Sequence, residues 1–469
     1  MACHYEVNPP ENSQSINAVP AHAFSALIQA QLIAAPGHAS EDEAEARRRR
    51  TEQRQYMQAI FSSCGPWIHE LFGSTSVPVW LVPEGWEAFE AIEFMNNVVD
   101  PDTKQTDVAE STHQAKARTE AYNPSNDIII ASALCTRIAR IADIENANQL
   151  PTPSCVHLWA RLQQLLASSI KTLSRQITDL DNVVQNKVLQ RICDMTGIEE
   201  YLHLTGGRAH IRGFLAILKH FGRPIDLART QIGLGNAIHV ITTTAVVSNT
   251  FAQYHDNFME INAFSNQELV DIYCLTLESS FPCPSFLWRQ ILEIGKLRGM
   301  VASGLDATVA IEKAKTILHC IESFVPETWQ ESYTIPEGRA ASLLASVYKS
   351  ATIIYCCGCV SDGADGGRAF TAWGDPIQAS WRIPLLRSLS EAVEFDANLS
   401  DPTLWPLVVA GYAAKKGSYA ERSLVDRLLG DMGRDWGRGP PELRARLSRF
   451  WVEGVSWDDL WRVPYTFMT

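Results

Sequence analysis

The chain has 469 residues, of which 46% are hydrophobic, and this excludes a disordered or fibrous protein. Its length suits one large core or two modest ones, because single cores stop growing near ~250 to 300 residues. A formal net charge of -13 excludes nucleic-acid binding through the overall field, since phosphate neutralisation needs clustered Lys and Arg. Any basic surface must therefore be local.

Neither an export signal nor a membrane span is expected from the sequence. Residues 1–20 have no basic start and no apolar segment. The best candidate for a membrane span, Leu343 to Val360, is interrupted by Ser346, Lys349 and Ser350. We therefore expect an intracellular protein without membrane contact, whose eleven cysteines are mostly buried and reduced.

The N-terminal residues 1–50 are polar, rich in Pro and Asn early and charged late. This composition predicts a mostly disordered arm with one short apolar helix, Ala23 to Ala34. Residues 51–469 form the predicted helical domain. Within it, only Val77 to Val82 is compatible with short strands, and Val99 to Pro124 is expected to be a loop.

Apolar residues recur at helical spacing through most of the remaining chain. The pattern predicts a buried helix over Asp127 to Ile144 and, from Leu158 to Ile192, one long helix or two joined near Asp179 to Asn182. Further helices are predicted over Ala209 to Phe221, Asn236 to Phe251, Asn266 to Glu278, Phe286 to Met300, Asp306 to Phe324 and Arg339 to Cys357. Because no alternating strands and no repeat period accompany them, the predicted fold class is all-α, a multi-helix array.

The one cysteine cluster consists of Cys356, Cys357 and Cys359. A zinc site usually takes its four ligands from two separated pairs, and no matching pair accompanies this cluster. Adjacent residues on a helix also point ~100° apart, which suits chelation poorly. We predict small core cysteines at a helix end, followed by a flexible connection with glycines from Gly363 to Gly367.

Motifs for catalysis or cofactor binding are incomplete. Gly233 and Gly235 resemble the start of a dinucleotide fingerprint, but Ile238 stands where the third glycine is needed, and no βαβ pattern surrounds them. The glycine spacing of a nucleophile elbow and the second histidine of a zinc-protease helix are also missing. We therefore predict a protein that is not an enzyme and has no catalytic residue, cofactor or metal.

A dense basic patch follows the N-terminal arm. One interpretation is a solvated helical face, on which the acids of positions 41–45 balance the arginines across one turn. The other is a nuclear import signal or a phosphate-contacting arm, and import is favoured because the neighbouring acids would repel phosphate. The predicted import residues are Arg47, Arg48, Arg49, Arg50 and Arg54.

Three separated segments of the chain each contain a recognisable sequence pattern. Arg208 to Ala228 contains a helix with His210 and Gly213. Ser342 to Cys359 contains Tyr348, followed by small residues and then Tyr355. The last segment begins with Leu404, Trp405 and Pro406, continues through Gly411, and ends in an Arg-rich helix with Trp451 and a final turn with Trp457.

In this order and spacing the segments resemble the fungal-specific transcription factor domain, over residues 208–462. That domain is the helical regulatory region that follows a two-zinc, six-cysteine DNA-binding cluster in many fungal activators. The resemblance implies that the signature residues belong to the core and not to a catalytic site. Their chemistry agrees, because Pro406 suits the first turn of a helix and Gly411 suits close helix packing.

The chain departs from this family in its cysteines. The family's zinc module needs two closely spaced cysteine triplets, whereas only Cys3 and Cys64 occur before residue 135. Either the gene has an upstream part that encodes the zinc module, or the protein contacts DNA only through a partner.

The resemblance implies a transcription regulator of a metabolic or secondary-metabolite gene set, in the nucleus and partly in the cytoplasm. Its implied partners are proteins, as a homo- or heterodimer or in the transcription machinery, with DNA contacted only indirectly, and a small-molecule effector is compatible with this function. One alternative is an α-helical enzyme or small-molecule-binding protein with a pocket between helices. Another is a scaffold or dimerisation module.

Overall fold

The computed structural model describes residues 126–144, 152–178, 182–202, 207–220, 222–230, 232–275, 281–329, 338–361, 367–432, 439–453 and 457–466. These residues form fifteen α-helices with short 3-10 turns between them, and none of them lies in a strand. All of them belong to one compact unit of the chain. The predicted all-α class is confirmed.

The helices follow one another closely along the chain. In order they are α1 (Asn126–Ile144), α2 (Val156–Thr178), α3 (Asn182–Tyr201), α4 (Gly207–His220), α5 (Pro224–Thr230), α6 (Ile232–Thr250), α7 (Asn266–Tyr273), α8 (Ser285–Ala302), α9 (Ala307–Ser323), α10 (Arg339–Ser361), α11 (Gly367–Phe395), α12 (Leu404–Ala413), α13 (Tyr419–Met432), α14 (Gly439–Glu453) and α15 (Trp457–Leu460). One question left open by the sequence is thereby decided, since the long apolar run from Leu158 to Ile192 forms two helices, α2 and α3.

Several helices begin where side chains can bond the free backbone N–H groups of the first turn. Asp306 precedes α9, as predicted, and its carboxylate accepts hydrogen bonds from the backbone N–H groups of Thr308 and Val309. Ser265 precedes α7 and forms a reciprocal capping box with Glu268. The second cap fixes the start of α7, which is one wall of the cavity described below.

The core is organised around α10. This helix packs against α8, α9, α11 and α12, and nearly every residue from Leu344 to Cys357 is buried. One helical stretch among the described residues, Arg339–Gly358, is long and apolar enough to cross a membrane, and most of it is buried within the fold. The prediction of core cysteines is confirmed for Cys356 and Cys357, which have no exposed surface.

The sequence did not predict α11. Gly367 begins this helix, although it was expected to lie in a flexible connection, and Pro376 and Pro384 lie inside the helix. Proline removes one helical hydrogen bond, but both prolines are exposed, so the carbonyl groups they leave unbonded can face water. The flexible-connection prediction is therefore wrong at Gly367.

α7 also ends earlier than predicted, at Tyr273 and not at Glu278. The Tyr273 hydroxyl bonds the backbone of Cys283, accepting from its N–H at 2.8 Å and donating to its carbonyl at 2.6 Å. These bonds hold Cys283 beside the last residue of α7. The predictions for residues 1–125, which include the polar arm, the arginine patch and the strand-compatible Val77 to Val82, lie outside the described residues.

Candidate functional site

Four of the signature residues form one aromatic cluster in the core, made of Tyr348 and Tyr355 of α10, Trp405 of α12 and Trp457 of α15. The rings of Tyr348 and Trp405 are nearly parallel, with centroids 6.0 Å apart. The Tyr355 ring meets Trp405 edge-on, with centroids 5.7 Å apart, and is tilted against Trp457, with centroids 6.1 Å apart. The second and third segments of the resemblance therefore meet in space.

The polar tips of this aromatic cluster bond neighbouring helices. The Nε1 of Trp405 donates to the Thr250 hydroxyl at 3.0 Å, and the Nε1 of Trp457 donates to the Thr250 carbonyl at 3.1 Å. The Tyr348 hydroxyl donates to the Pro402 carbonyl at 2.8 Å, and burial raises the pKa of Tyr348 well above its usual range. These side chains are held in place by packing and hydrogen bonds, which suits a structural role.

The other signature residues of the third segment belong to α12 and its neighbours. Pro406 lies in the first turn of α12 and is buried. A Cβ on Gly411 would lie 2.5 Å from Leu447 Cδ1 of α14 and 3.3 Å from Val425 Cγ1 of α13. Trp451 of α14 donates its Nε1–H to the Gly411 carbonyl at 2.8 Å. Gly411 thus allows α14 to approach closely, and Trp451 then satisfies one of the last carbonyls of α12.

His210 and Gly213 of the first segment lie on α4, which packs mainly on α3. His210 is half-buried, and its Nε2 is 3.3 Å from the Glu199 carboxylate of α3. Around Gly213 there is open space, since a Cβ there would have no contact within 4 Å. His210 and Gly213 are therefore separate from the aromatic cluster. Gly213 also differs from Gly411 in having no close neighbour.

A cavity of about 630 Å³ lies beside the aromatic cluster. Its walls come from α6, α7, α8 and the two 3-10 turns between Tyr254 and Ala263, which we call the 254–263 segment. Tyr355 and Thr250 belong both to its lining and to the surroundings of the aromatic cluster. No sequence motif indicates this cavity, because its lining residues come from separate elements that include α6, α7, α8, α10 and the 254–263 segment.

Polar groups hold the inner wall of the cavity in shape. The Asn249 side chain accepts a hydrogen bond from the Phe258 backbone N–H at 2.6 Å. Arg298 of α8 is buried and donates to the carbonyls of Asn249 and Ala252 and, at 2.6 Å, to the Asp458 carboxylate. These bonds join the end of α6 to α8 and to α15.

Two glycines of α8, one helical turn apart, also line the cavity. Gly299 lies under the Tyr254 ring, whose Cε2 would be 3.0 Å from an added Cβ. Gly295 is exposed, and an added Cβ there would meet nothing within 4 Å. Packing therefore accounts for Gly299 but not for Gly295.

Catalytic or metal-binding groups are not apparent in the part of the chain that the structure describes. Within it, no group of three or more His, Cys, Asp or Glu side chains is placed to hold a metal ion. Burial raises the pKa of the Cys135 and Cys193 thiols far above the usual range, so that both stay protonated. The predicted import residues, including Arg47 and Arg54, lie outside the described residues.

Comparison of the chain with protein-family models, with curated proteins and with solved structures found no match. The resemblance therefore rests on the three segments alone. The class that the fold defines is an all-α domain whose described residues include a buried aromatic cluster and an interhelical cavity.

Proposed function

We propose that this protein is a fungal transcription regulator that acts through its helical regulatory domain and controls a metabolic or secondary-metabolite gene set. DNA contact would come through a partner protein or through a module upstream of the chain. The observation that supports this proposal is the meeting of two resembling segments in the aromatic cluster. Tyr348 and Tyr355 from one segment pack there against Trp405 and Trp457 from the other.

The chemistry of the aromatic cluster favours regulation over catalysis. The polar atoms of Tyr348, Trp405 and Trp457 bond backbone or hydroxyl groups of the same fold, so they are not free to act on a substrate. A domain of this kind would act through its surface and its conformation, which protein partners or the transcription machinery would recognise by binding.

Tethering to DNA tests the regulatory function directly. The full chain is fused to a heterologous DNA-binding domain in a fungal host, and a reporter with the matching DNA site is measured. We expect the fusion to change the reporter output relative to the DNA-binding domain alone. An unchanged output, together with unchanged transcripts after deletion of the gene, would contradict the proposal.

A matched pair of glycine variants controls this experiment. Gly411→Leu forces a large side chain against Leu447 and should abolish the effect by disrupting the fold. Gly213→Ala adds one methyl group in open space and should keep it. A reporter response that survives Gly411→Leu would show that the described domain is not its source.

Indirect DNA contact has its own test. In a gel-shift assay, the purified chain should bind no defined DNA sequence without a partner, in keeping with a net charge of -13. Tight, salt-sensitive binding to one sequence would overturn this part of the proposal.

Nuclear import is proposed to depend on the arginine patch. Replacing Arg47, Arg48, Arg49, Arg50 and Arg54 by Gln in a fluorescent fusion should shift the protein from nucleus to cytoplasm. As a control, Gln at the exposed Arg427 and Arg449 should leave the distribution unchanged. If both variants distribute alike, the patch is only a solvated helical face.

The cavity favours a second candidate, an α-helical small-molecule-binding protein or enzyme. Cavities between helices often hold small ligands, and about 630 Å³ is large enough for one. Deletion of the gene separates the two candidates. A regulator should change messenger levels first, whereas an enzyme or carrier should change metabolite levels first.

A further inference from the structure

We infer that the cavity between α6, α7, α8 and the 254–263 segment binds a small organic carboxylate with an apolar body. The binding follows from the lining of the cavity. Only the added claim, that this ligand is an effector of transcription, rests on the proposed function.

The size and the apolar wall of the cavity suit a ligand of this kind. Its volume of about 630 Å³ lies within the range of about 300 to 1,000 Å³ that is common for small-molecule sites. The lining includes apolar side chains from α6, the 254–263 segment and the residue after it, α7 and α8. Those that would contact a hydrocarbon or aromatic body are Val246, Ile261, Phe264, Leu269, Ile291 and Leu292.

The charge of the lining favours an anion. The described lining residues include two cations, Lys296 and Arg298, and no carboxylate side chain. Arg298 is already paired with Asp458 at 2.6 Å. Lys296 lies one turn from Met300 on the exposed side of α8 and forms no ion pair with a described residue. Its ammonium group is therefore the charge available to a ligand carboxylate.

Asn257 adds unused hydrogen-bonding capacity to the wall. The residue is nine-tenths buried, and its side-chain oxygen has no hydrogen-bond partner among the described residues. Burial of an unpartnered polar atom is unfavourable, so such atoms call for an explanation. Rotation of the carboxamide by 180° would exchange this oxygen for the NH2 group, which can donate a hydrogen bond to the ligand carboxylate.

Gly295 keeps the mouth of the cavity open. Glycine inside a helix is less stable than alanine, and at Gly299 the contact with Tyr254 explains its presence. At Gly295 no neighbouring atom lies within 4 Å of the Cβ position, so close packing cannot be the reason. A ligand that enters past this position explains why a side chain is absent.

Calorimetric titration of the purified full chain tests the inference. The probes are hexanoate, octanoate, decanoate and 3-phenylpropionate, each compared with the alcohol of the same carbon skeleton. We expect saturable binding of at least one carboxylate, with a weaker response to its alcohol. If no carboxylate in the series binds saturably, the inference is overturned.

Four variants locate the binding. Gly295→Phe and Met300→Trp, which fill the mouth from two positions of α8, should each abolish binding, while Gly213→Ala on α4, outside the cavity lining, should leave it unchanged. Lys296→Gln should weaken carboxylate binding roughly fivefold, the upper range for an exposed charge pair, without changing binding of the alcohol. Circular dichroism shows which variants are folded. Undiminished binding in the folded blocking variants would place the ligand elsewhere and overturn the inference.

The outcome is separable from that of the proposed function. A tethered reporter that responds while no carboxylate binds would remove this inference and leave the regulator. Carboxylate binding that depends on Lys296, together with unchanged transcripts after gene deletion, would keep the site and remove the regulator.

Discussion

At Gly411 three helices leave no room for a side chain. This position on α12 faces Leu447 of α14 and Val425 of α13, both fully buried. Glycine costs helix stability, and the close approach of α14 together with the hydrogen bond from Trp451 offsets that cost.

We expect Gly411→Ala to lower the free energy of unfolding by about 1 to 2 kcal/mol, because the added Cβ would lie 2.5 Å from Leu447 Cδ1. The same change at Gly213 should instead raise the free energy of unfolding by up to about 1 kcal/mol, since the Cβ enters open space and alanine favours the helix. Urea unfolding of both variants measures the difference. Equal effects at the two positions would show that packing does not distinguish them.

His239 is a buried titratable group, with 3% of its surface exposed. It lies on α6 beside Tyr273, with ring centroids 5.7 Å apart. Burial lowers the pKa of His239 to about 4, against a carbonyl contact with Ile272 that raises it. The folded protein therefore keeps this imidazole neutral.

This depressed pKa makes stability depend on acidity. As the pH falls below about 6.5, the unfolded chain binds a proton at His239 while the folded chain does not, so the free energy of unfolding decreases until about pH 4. The loss should reach about 3 kcal/mol. His239→Leu should remove it, so that urea unfolding of this variant depends less on pH than that of the wild type. Parallel pH profiles of the two proteins would contradict the assignment.

At the scale of elements, a single lysine joins two helices of the core. Lys349 of α10 donates from its Nζ to the carbonyls of Glu322 and Phe324, both at 2.8 Å. These carbonyls belong to the C-terminal end of α9, where a cation is also favoured by the helix dipole.

Lys349→Met should therefore destabilise the protein by about 1 to 2 kcal/mol, since two hydrogen bonds to a charged group are lost. Lys315→Met offers the control, because Lys315 pairs only with Glu312 on the exposed face of α9 and should change stability by less than about 0.5 kcal/mol. Thermal unfolding distinguishes the two. If Lys315→Met costs as much as Lys349→Met, the end of α9 does not depend on this bond.

The sequence predicts elements well where periodicity and caps agree, and poorly where they conflict. Asp306 gave the start of α9 because its carboxylate bonds the first turn. By contrast, α11 was not predicted, because Pro376 and Pro384 lie inside it and proline usually ends a helix. Both prolines are tolerated because they are exposed in the fold. The helix predicted from Asn236 begins earlier, at Ile232, and so includes Gly235. A Cβ at Gly235 would lie 2.7 Å from the Ala228 carbonyl oxygen, so glycine allows this close approach.

At the scale of the whole molecule, residues 457–466 join distant parts of the fold. The Gln253 side chain donates to the Asp458 carbonyl at 3.0 Å, and the Tyr465 backbone N–H donates to the Phe251 carbonyl at 3.0 Å. Together with the ion pair between Arg298 and Asp458, these bonds attach the segment to the end of α6 and to α8. The cavity wall therefore depends on residues far away in the chain.

Asp458→Asn should destabilise the protein by about 2 kcal/mol, because the buried Arg298 loses its carboxylate partner. A fully buried pair would lose more, but the Asp458 side chain is 33% exposed. The neighbouring Asp459→Asn is the control, and its exposed pair with Arg462 should contribute less than about 0.5 kcal/mol. Urea unfolding should separate the two variants, and equal midpoints would contradict the role given to Arg298.

The candidate sites differ in how far the sequence could predict them. Trp405, Gly411 and Trp457 stand out because large aromatic and small residues recur in a recognisable order, which is information held along the chain. The cavity is lined by residues such as Asn257 and Gly295, which belong to no sequence motif. They come together only when α6, α8 and the 254–263 segment pack side by side. The ion pair between Arg298 and Asp458 spans 160 positions and leaves no local signal.

The attachment of Trp457 to α6 has a consequence for synthesis of the protein. When Thr250 at the end of α6 is added to the growing chain, Trp457 is still 207 residues from being made, so the end of α6 lacks its partners in residues 457–466. During that interval Phe251 and its apolar neighbours stay exposed to other chains, and long-range closure of this kind is slow. We therefore expect the nascent protein to need chaperones until the segment around Trp457 and Tyr465 has emerged.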